Sequence, residues 1–260
     1  MNIIGFVNQK GGCGKTTSVI NVSHLLSEKG YNVLAVDMDP QANLSIGFDL
    51  DVDNIEYTVY DLLKDKCIRN SEDLVPRNII HESFGVDVMP NDLRMSEIGI
   101  TLGGVPQSNH LLKKVLAHDF IQNRYDWVII DSPPSLSVTA FNVLLASNSL
   151  YIPVEPGHFS LSGLVQLMYK IEMTQDDLDN DLDIGGIFMT IVNIQTNLFK
   201  EYRDKISERL EDDFMDTFIR RNESLRKAQD QGVPIKEYNT NCNGYKDYVS
   251  LVDEIIEREE

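Results

Sequence analysis

Residues 10–17 carry the clearest chemical signal in the sequence, a glycine-rich run that reads K-G-G-C-G-K-T-T. It follows a short β-branched segment and precedes an amphipathic one, so we expect a loop between a strand and a helix. The glycines let the backbone curl until several N–H groups face one point, and the helix N-terminus adds its dipole there. Such a loop binds phosphate groups. The residues expected to form the site are Gly11, Gly12, Cys13, Gly14, Lys15, Thr16 and Thr17.

Three side chains of this run have distinct expected roles toward a bound nucleoside triphosphate. Lys15 would reach the β- and γ-phosphates, the Thr16 hydroxyl would bind Mg²⁺, and Thr17 is placed to contact the α-phosphate. The alternative is a chance glycine turn between a strand and a helix, which G-K-T-T in this position disfavours. The loop therefore predicts ATP and Mg²⁺ as cofactors.

Two further segments place carboxylates where expected strands end. Asp37 and Asp39, in D-M-D-P-Q-A-N, would point the same way because they lie two residues apart on an extended chain. Asp131 ends the run W-V-I-I-D, which is typical of the acidic residue that holds Mg²⁺ through water. At the carboxyl edge of a parallel sheet all three would face the ligand crevice. Alternatively, Asp37 and Asp39 cap the next turn, and Asp131 caps a plain buried strand.

The fold class follows from short apolar runs that alternate with longer amphipathic stretches. Nearly continuous apolar strands separated by helices predict a parallel sheet covered on both faces. We therefore expect a doubly wound, mostly parallel α/β fold of the P-loop NTPase type, with residues 1–260 as a single domain. Helices are expected over residues 15–29 and 245–257. The expected strands are Ile3–Val7, Val33–Asp37, Val86–Met89, Trp127–Asp131, Leu150–Val154 and Ile187–Val192.

Composition narrows the class of protein further. No apolar run approaches the roughly 18 residues that span a bilayer, and the N-terminus lacks the pattern of a signal peptide, so we expect a cytoplasmic protein. Cys13, Cys67 and Cys242 are odd in number and lack C-x-x-C spacing, which argues against disulfides and zinc. The net charge of −18 argues against a generally basic nucleic-acid surface but still permits a local basic patch.

The glycine-rich run departs from the ordinary P-loop pattern in an informative way. Gln9 stands where G-x-x-x-x-G-K-[ST] requires its first glycine, and Lys10 supplies a second lysine. This pattern resembles the deviant Walker A loop of the ParA/MinD superfamily. The segments D-P-Q at 39–41, D-S-P-P-S-L at 131–136 and R-R-N-E-S-L-R-K-A at 220–228 are similar to motifs of the ParA (Soj-like) partitioning proteins. The resemblance covers essentially the whole chain.

The resemblance implies roles for individual residues. Lys10 would reach across a homodimer formed with ATP to the partner's phosphates, where its charge would stabilise the transferred phosphoryl group. Asp39 would orient the attacking water, and Asp37 would belong to the Mg²⁺ environment. Asn222 would lie where the family recognises the adenine base. The expected catalytic residues are therefore Lys10, Lys15 and Asp39.

The resemblance also implies a function and partners. A ParA-like partitioning ATPase dimerises with MgATP, hydrolyses ATP slowly until a ParB-like partner stimulates it, and segregates plasmid or chromosomal DNA. Members hold DNA non-specifically through arginines in the C-terminal third, whereas Gln195, Ser224 and Asn243 stand at three of those positions here. DNA binding is therefore expected to be weak. A substitute patch, or alternatively a set of ion-paired surface charges, is offered by Arg220, Arg221, Arg226 and Lys227.

Two other functions stay open on the sequence. A ParA-like ATP switch could position or regulate a protein cargo instead of DNA. An amidoligase-like P-loop enzyme, such as dethiobiotin synthetase, is disfavoured by Lys10 and by the D-x-D-P-Q segment. The MinD branch needs a C-terminal amphipathic membrane helix, which residues 245–260 do not resemble, so no membrane association is expected.

Overall fold

The apolar runs of the sequence form a single sheet. The computed structural model describes residues 1–68, 76–102, 105–135, 137–157, 163–169, 171 and 182–260. Every strand that the sequence predicts is present, and three of them have the predicted bounds. The strands of the described residues are β1 (Asn2–Phe6), β2 (Val33–Asp37), β3 (His81–Ser83), β4 (Val86–Met89), β5 (Trp127–Asp131), β6 (Ser149–Val154), β7 (Asp183–Val192) and β8 (Phe214–Arg220).

Helices connect and cover these strands. Helix α1 (Lys15–Glu28) follows β1 as predicted, and Gly30 ends it with a φ of 95°, a left-handed value that glycine adopts without strain. Among the described residues, none of the helices has both the length and the apolar character needed to cross a bilayer. The other helices are α2 (Asn43–Gly47), α3 (Val59–Ile68), α4 (Ile98–Thr101), α5 (Leu111–Leu116), α6 (Asp119–Gln122), α7 (Val138–Ala146), α8 (Asn197–Leu210), α9 (Glu223–Asp230), α10 (Ile235–Tyr238) and α11 (Asn243–Glu259), and residues 163–169 are also helical.

Strand β1 lies in the interior of the sheet. The strand order is β3-β4-β2-β5-β1-β6-β7-β8, and of the described strands only β3 runs antiparallel to its neighbour. Because the connections turn in opposite directions on the two sides of β1, a ligand crevice is expected at its carboxyl end. The register sets Phe6 level with Asp131, and Asp131 level with Asp37. The predicted doubly wound, mostly parallel fold is confirmed, and it brings the glycine-rich run and two carboxylates to one edge.

Hydrophobic cores on both faces of the sheet explain why its inner strands are apolar throughout. In β5, Val128 and Ile130 pack into one core, whereas Trp127 and Ile129 pack into the other. Both alternating sets are buried because helices cover both faces. The first core also contains residues of α3, α5 and α7, and the second contains residues of α1 and α11.

The two edge strands, β3 and β8, differ from the sequence-based expectation. Strand β3 reads H-E-S and is held by its pairing with β4, so it has no apolar pattern to recognise. Strand β8 reads F-M-D-T-F-I-R, in which Met215 and Ile219 are buried while Asp216 between them is exposed. A half-covered edge strand alternates in this way, and a search for continuous apolar runs misses it.

An aromatic cluster supports the strand that leads into the glycine-rich run. The ring centroid of Phe6 in β1 lies 5.8 Å from that of Tyr151 and 6.2 Å from that of Phe188. All three side chains are fully buried. The cluster therefore ties β1 to β6 and β7 through ring contacts as well as through backbone pairing.

Phe188→Ala is expected to lower the free energy of unfolding by about 3–5 kcal/mol, because it leaves a cavity beneath β1 and removes an edge-to-face ring contact. Urea unfolding followed by circular dichroism measures the change. Tyr57→Ala is the matched control, since that ring is 43% exposed and its loss should change stability by less than about 0.5 kcal/mol. A Phe188→Ala protein as stable as the parent would show that the cluster does not support β1.

Candidate functional site

The glycine-rich loop (residues 10–17) forms an open cradle at the carboxyl end of β1. Gly12 and Gly14 have φ values of 75° and 89°, which glycine adopts without a Cβ penalty. A Cβ added to Gly11 or Gly12 would meet nothing within 4 Å, so the space beside this backbone is open to a ligand. In the described part of the chain, no side chain caps the start of α1 at Gly14. The first N–H groups of α1 are therefore available to an anion.

Asp131, at the end of β5, has a buried carboxylate oxygen without a partner. Thr16 Oγ1 donates to Asp131 Oδ2 at 2.6 Å, whereas Oδ1 has no hydrogen-bond partner among the described residues. Burial, and after it the nearby charge of Asp37, raises the pKa of Asp131 well above its ordinary range. A cation beside Oδ1 would offset both effects, and Mg²⁺ prefers hard oxygen ligands such as carboxylate and hydroxyl. Thr16 and Asp131 thus fit the predicted magnesium ion.

Asp37, at the end of β2, is fully buried and uses both carboxylate oxygens within the protein. Its Oδ1 accepts a hydrogen bond from Asp39 N at 3.1 Å, and its Oδ2 accepts from Ser45 N at 2.9 Å and from Ser45 Oγ at 2.7 Å. Burial raises the pKa of Asp37 to about 6, although the hydrogen bonds from Ser45 and Asp39 oppose that rise. Asp37 anchors the segment between β2 and α2, and toward a metal ion it offers its charge.

Asp39 lies on that anchored segment and is only 8% exposed. Its Oδ1 accepts a hydrogen bond from Gln41 N at 2.9 Å, and its backbone carbonyl accepts from Asn91 Nδ2 at 3.3 Å. The turn-capping alternative is therefore observed for both aspartates, and Asp39 in addition faces the cavity described next. The sequence does not predict Asn91, although its place just after β4, the parallel neighbour of β2, puts it at the same edge.

A cavity of about 680 Å³ opens at this edge of the sheet. It extends from the glycine-rich loop to residues 219–229 in the C-terminal third. Pro134 of the D-S-P-P-S-L motif also lines it, whereas Leu136 of that motif lies outside the described residues. The predicted site residues that line the cavity are Gly11, Gly12, Gly14, Lys15, Thr16, Thr17, Asp39 and Asn222, and those outside its lining are Lys10, Cys13, Asp37 and Asp131.

Helix α9 and the segment before it line the part of the cavity that is formed by the C-terminal third of the chain. Asn222 caps α9, because its Oδ1 accepts a hydrogen bond from Ser224 N at 2.8 Å. Thr17 Oγ1 donates to Gln229 Oε1 at 3.3 Å and so connects the first turn of α1 to α9. The structure thus brings Asn222 and the glycine-rich loop to one cavity, although about 200 residues of sequence separate them. Gln229 is not predicted, and no motif in the sequence would have identified it.

The two lysines of the glycine-rich loop have opposite surroundings. Lys15 is buried, at 6% exposure, in the cradle of its own loop. The Lys10 side chain is 45% exposed, and its Nζ forms an ion pair with Glu155 Oε2 at 2.5 Å, just beyond the end of β6. Cys13 lies between them with its thiol buried, where Sγ donates to the Lys10 carbonyl at 3.2 Å and burial raises the thiol's pKa.

Two of the four basic residues considered for DNA binding are neutralised within the chain. Arg220 is bonded to Asp247, with Nε 3.0 Å from Oδ2. Arg226 forms ion pairs with Glu223 and Asp230. The ion-paired alternative is therefore observed for these two arginines. Both arginines also line the cavity and therefore lie within the candidate site.

Comparison with known proteins gives the family. A model of the AAA domain family matches residues 1–184. The chromosome-partitioning ATPase Soj of Treponema pallidum is 37% identical over 98% of this chain and 96% of its own length. The sporulation initiation inhibitor protein Soj of Bacillus subtilis is 34% identical over 97% of each chain. The crystal structure of cobyrinic acid a,c-diamide synthase from Mycobacterium smegmatis with bound ADP and magnesium has a TM-score of 0.82 and 25% identity, over 97% of this chain and 93% of that chain.

The strand order, the loop between β1 and α1 and the acidic end of β5 define a P-loop ATPase fold. The chain belongs to the AAA domain family and to the Soj/ParA family of partitioning ATPases. The resemblance that the sequence motifs indicate is thereby confirmed over nearly the full chain.

The two buried carboxyl groups make the stability of the free protein depend on pH. Native Asp37 and Asp131 bind a proton more tightly than the unfolded chain does, since burial raises the pKa of Asp37 to about 6 and raises the pKa of Asp131 well above its ordinary value. The free energy of unfolding therefore falls as pH rises from the ordinary pKa of an aspartate through these raised values. Lys15, whose charge favours the ionised form of Asp131, moderates the fall.

Asp131→Asn is expected to raise the free energy of unfolding of the nucleotide-free protein at neutral pH by at least about 1 kcal/mol, because it removes a buried charge and keeps an acceptor for Thr16. It should also weaken the dependence on pH. Urea unfolding from about pH 4 to about pH 7 measures both effects, because this range spans the ordinary pKa of an aspartate and the raised pKa of Asp37. The control is Asp53→Asn, at an exposed aspartate. A loss of stability with an unchanged pH dependence would contradict the prediction.

Proposed function

We propose that this protein is a ParA-like partitioning ATPase, with residues 1–260 as one domain, which dimerises with MgATP and hydrolyses it when a ParB-like partner binds. Its role is to segregate plasmid or chromosomal DNA in the cytoplasm. The observation that carries the proposal is the arrangement of the two loop lysines. Lys15 lines the cavity of its own chain, whereas Lys10 lies outside that cavity and is partly exposed to solvent. A second copy of the chain would give Lys10 a phosphate group to contact.

The phosphate groups of ATP bind to the N–H groups of the glycine-rich loop and of the first turn of α1, with Lys15 at the β- and γ-phosphates and Thr17 at the α-phosphate. Asn222 lies beside the adenine base of the nucleotide. Thr16 and Asp131 would hold the magnesium ion, and the charge of Asp37 would favour it. When bound, Mg²⁺ neutralises charge on the β- and γ-phosphate oxygens. Among the described residues no cluster of His, Cys, Asp and Glu forms a closed metal site, as is usual for Mg²⁺ that takes phosphate and water ligands.

Asp39 orients the attacking water. Its position is fixed by two hydrogen bonds: Gln41 N of its own segment donates to Oδ1, and Asn91, which follows β4, donates to its backbone carbonyl. Such fixed geometry is what water positioning requires, because phosphoryl transfer depends on orientation and charge stabilisation more than on covalent chemistry. The charge that develops on the transferred group is neutralised by Lys10 of the partner subunit.

Slow turnover in the absence of a partner follows from this arrangement. Lys10 must leave Glu155 before it can contact the nucleotide of a second protomer, so the ion pair competes with dimer formation. An activator that favours the dimer with Lys10 in place would accelerate hydrolysis. The relative named as a chromosome-partitioning ATPase supports partitioning as the setting of this switch.

A ParA-like switch that positions a protein cargo is the second candidate, and the charge distribution favours it. The chain carries a net charge of −18, with Gln195, Ser224 and Asn243 where arginines are expected. Each phosphate contact that is missing lowers non-specific DNA affinity and its salt dependence. Arg220 and Arg226 are already paired with carboxylates. The two candidates differ in whether the ATP-bound dimer binds duplex DNA.

Asp39→Ala is expected to accumulate as an ATP-bound dimer, because the water loses its orienting carboxylate while the phosphate cradle stays intact. Light scattering with MgATP should show a long-lived species near twice the chain mass of 29.5 kDa. Asp51→Ala, at an exposed aspartate, is the control and should dissociate like the parent. If the Asp39→Ala protein stays monomeric with ATP bound, Asp39 has another role.

Lys10→Ala is expected to bind nucleotide normally and to lose at least about a hundredfold in stimulated turnover, since the missing charge acts on the partner's nucleotide. Calorimetry and phosphate release measure the two effects. Lys29→Ala is the matched control, because Lys29 is also a surface lysine in an ion pair. If the Lys10→Ala protein keeps the parental turnover, Lys10 has no role in hydrolysis.

Mixing the two inactive variants tests whether Lys10 acts across the dimer. In a mixed dimer, the Lys10→Ala protomer keeps its own Asp39 and receives Lys10 from the Asp39→Ala protomer. One complete site results, so the mixture should recover part of the turnover that neither variant has alone. Recovery that fails, although mixed dimers form, would show that Lys10 acts within its own chain.

A further inference from the structure

The peptide group between Cys13 and Gly14 can take two orientations, because the local backbone dihedral preferences permit both. Turning this group over changes the ψ of Cys13 and the φ of Gly14, and leaves the rest of the chain in place. Gly14 has a φ of 89°, and glycine adopts a negative φ about as readily as a positive one. Local conformational preference therefore does not fix the direction in which this peptide points.

The direction matters because the same peptide borders the phosphate cradle. In an anion-binding loop, successive N–H groups converge on the anion. If the peptide turned over, the Cys13 carbonyl oxygen would replace the Gly14 N–H on the side of the cradle, and its partial negative charge would repel a phosphate. Some contact from outside the loop has to select the binding orientation.

Thr190, near the end of β7, makes that contact. Its hydroxyl donates a hydrogen bond to the Cys13 carbonyl at 2.6 Å, and its side chain is 1% exposed. It also packs 3.8 Å from the position that a Cβ on Gly14 would occupy. The next residue, Ile191, has a φ of 56°, a left-handed value that a β-branched side chain adopts only under strain. The register between β7 and β8 shifts here, between Met189 and Val192, and both Thr190 and Ile191 line the cavity.

We propose that Thr190 is a positioning residue, which holds the Cys13–Gly14 peptide with its N–H toward the phosphate site. The inference rests on the proposed ATP-binding function and adds a residue to it from the part of the chain that follows the AAA domain match at residues 1–184. Thr190 acts through the loop backbone and so keeps the loop in its binding-competent form. Without the hydroxyl, the loop divides its time between two orientations, and the apparent affinity falls by the fraction that remains competent.

The experiment compares Thr190→Val, which keeps the shape and removes the hydroxyl, with Thr190→Ser, which keeps the hydroxyl. From the usual strength of a hydrogen bond, we expect Thr190→Val to bind ADP and a non-hydrolysable ATP analogue about 3- to 10-fold more weakly, by the same factor for both. Turnover at saturating ATP should stay at the parental level, because bound nucleotide selects the competent loop. Thr190→Ser should bind like the parent.

Ser83→Ala is the matched control, since Ser83 Oγ donates to the Phe48 carbonyl at 2.6 Å, away from the cavity. It removes a bond of the same kind and should leave nucleotide affinity unchanged. Thermal unfolding of every variant measures stability separately from binding. Thr190→Ala is a second hydroxyl-free variant, with the same expected loss of affinity, in case the valine protein does not fold.

Three results would overturn the inference. These are parental affinity in the hydroxyl-free variants, an equal loss in Thr190→Ser, which would point to the methyl group, and a fall in turnover with affinity unchanged. Lys15→Ala separates this inference from the proposed function. If Lys15→Ala abolishes nucleotide binding while Thr190→Val has none of the expected effect, only the role of Thr190 is wrong. If Lys15→Ala binds nucleotide like the parent, the ATP site itself is wrong.

Discussion

The burial of two carboxyl groups side by side is the constraint on which the site depends. The parallel register sets Asp37 level with Asp131, at the carboxyl ends of β2 and β5. Both carboxyl groups are buried there, and burial makes their ionisation costly. The protein satisfies Asp37 with its own backbone and with Ser45, and leaves one oxygen of Asp131 without a partner among the described residues. The free protein is thus less stable than its fold allows, and the deficit lies where a divalent cation would relieve it.

The parts of this site that the sequence could predict are those encoded by short segments. The glycine-rich loop and the aspartates at the ends of β2 and β5 each follow a recognisable strand, so their place at one edge could be derived. Asn91, Gln229 and Thr190 could not, because their partners lie 52 to 212 residues away, across separate strands and helices. Their roles depend on pairings such as that between β6 and β7, which no local pattern encodes. Strand β3 could not be predicted either, since its three polar residues are held by β4.

Fold alone does not determine the function of this chain. A synthase at 25% identity shares its architecture with a TM-score of 0.82, and one architecture can carry several unrelated functions. The partitioning proposal rests instead on local features of this chain, which are a second lysine outside the cavity and an aspartate fixed on the segment after β2. The chromosome-partitioning relative at 37% identity over 98% of this chain supports the same assignment.

The interior position of β1 also affects how the protein is made. Asn2 of β1 pairs with Trp127, and Ile4 pairs with Ser149, so β1 has neighbours that are synthesised more than a hundred residues after it. Closing such long loops carries an entropic cost, and contacts between distant residues form slowly. During translation β1 therefore stays unpaired until these neighbours have been synthesised. Unpaired apolar segments of this kind are prone to aggregate and are protected by chaperones. The glycine-rich loop is synthesised directly after β1, but Thr190 of β7, whose hydroxyl supports it, is synthesised 177 residues after Cys13.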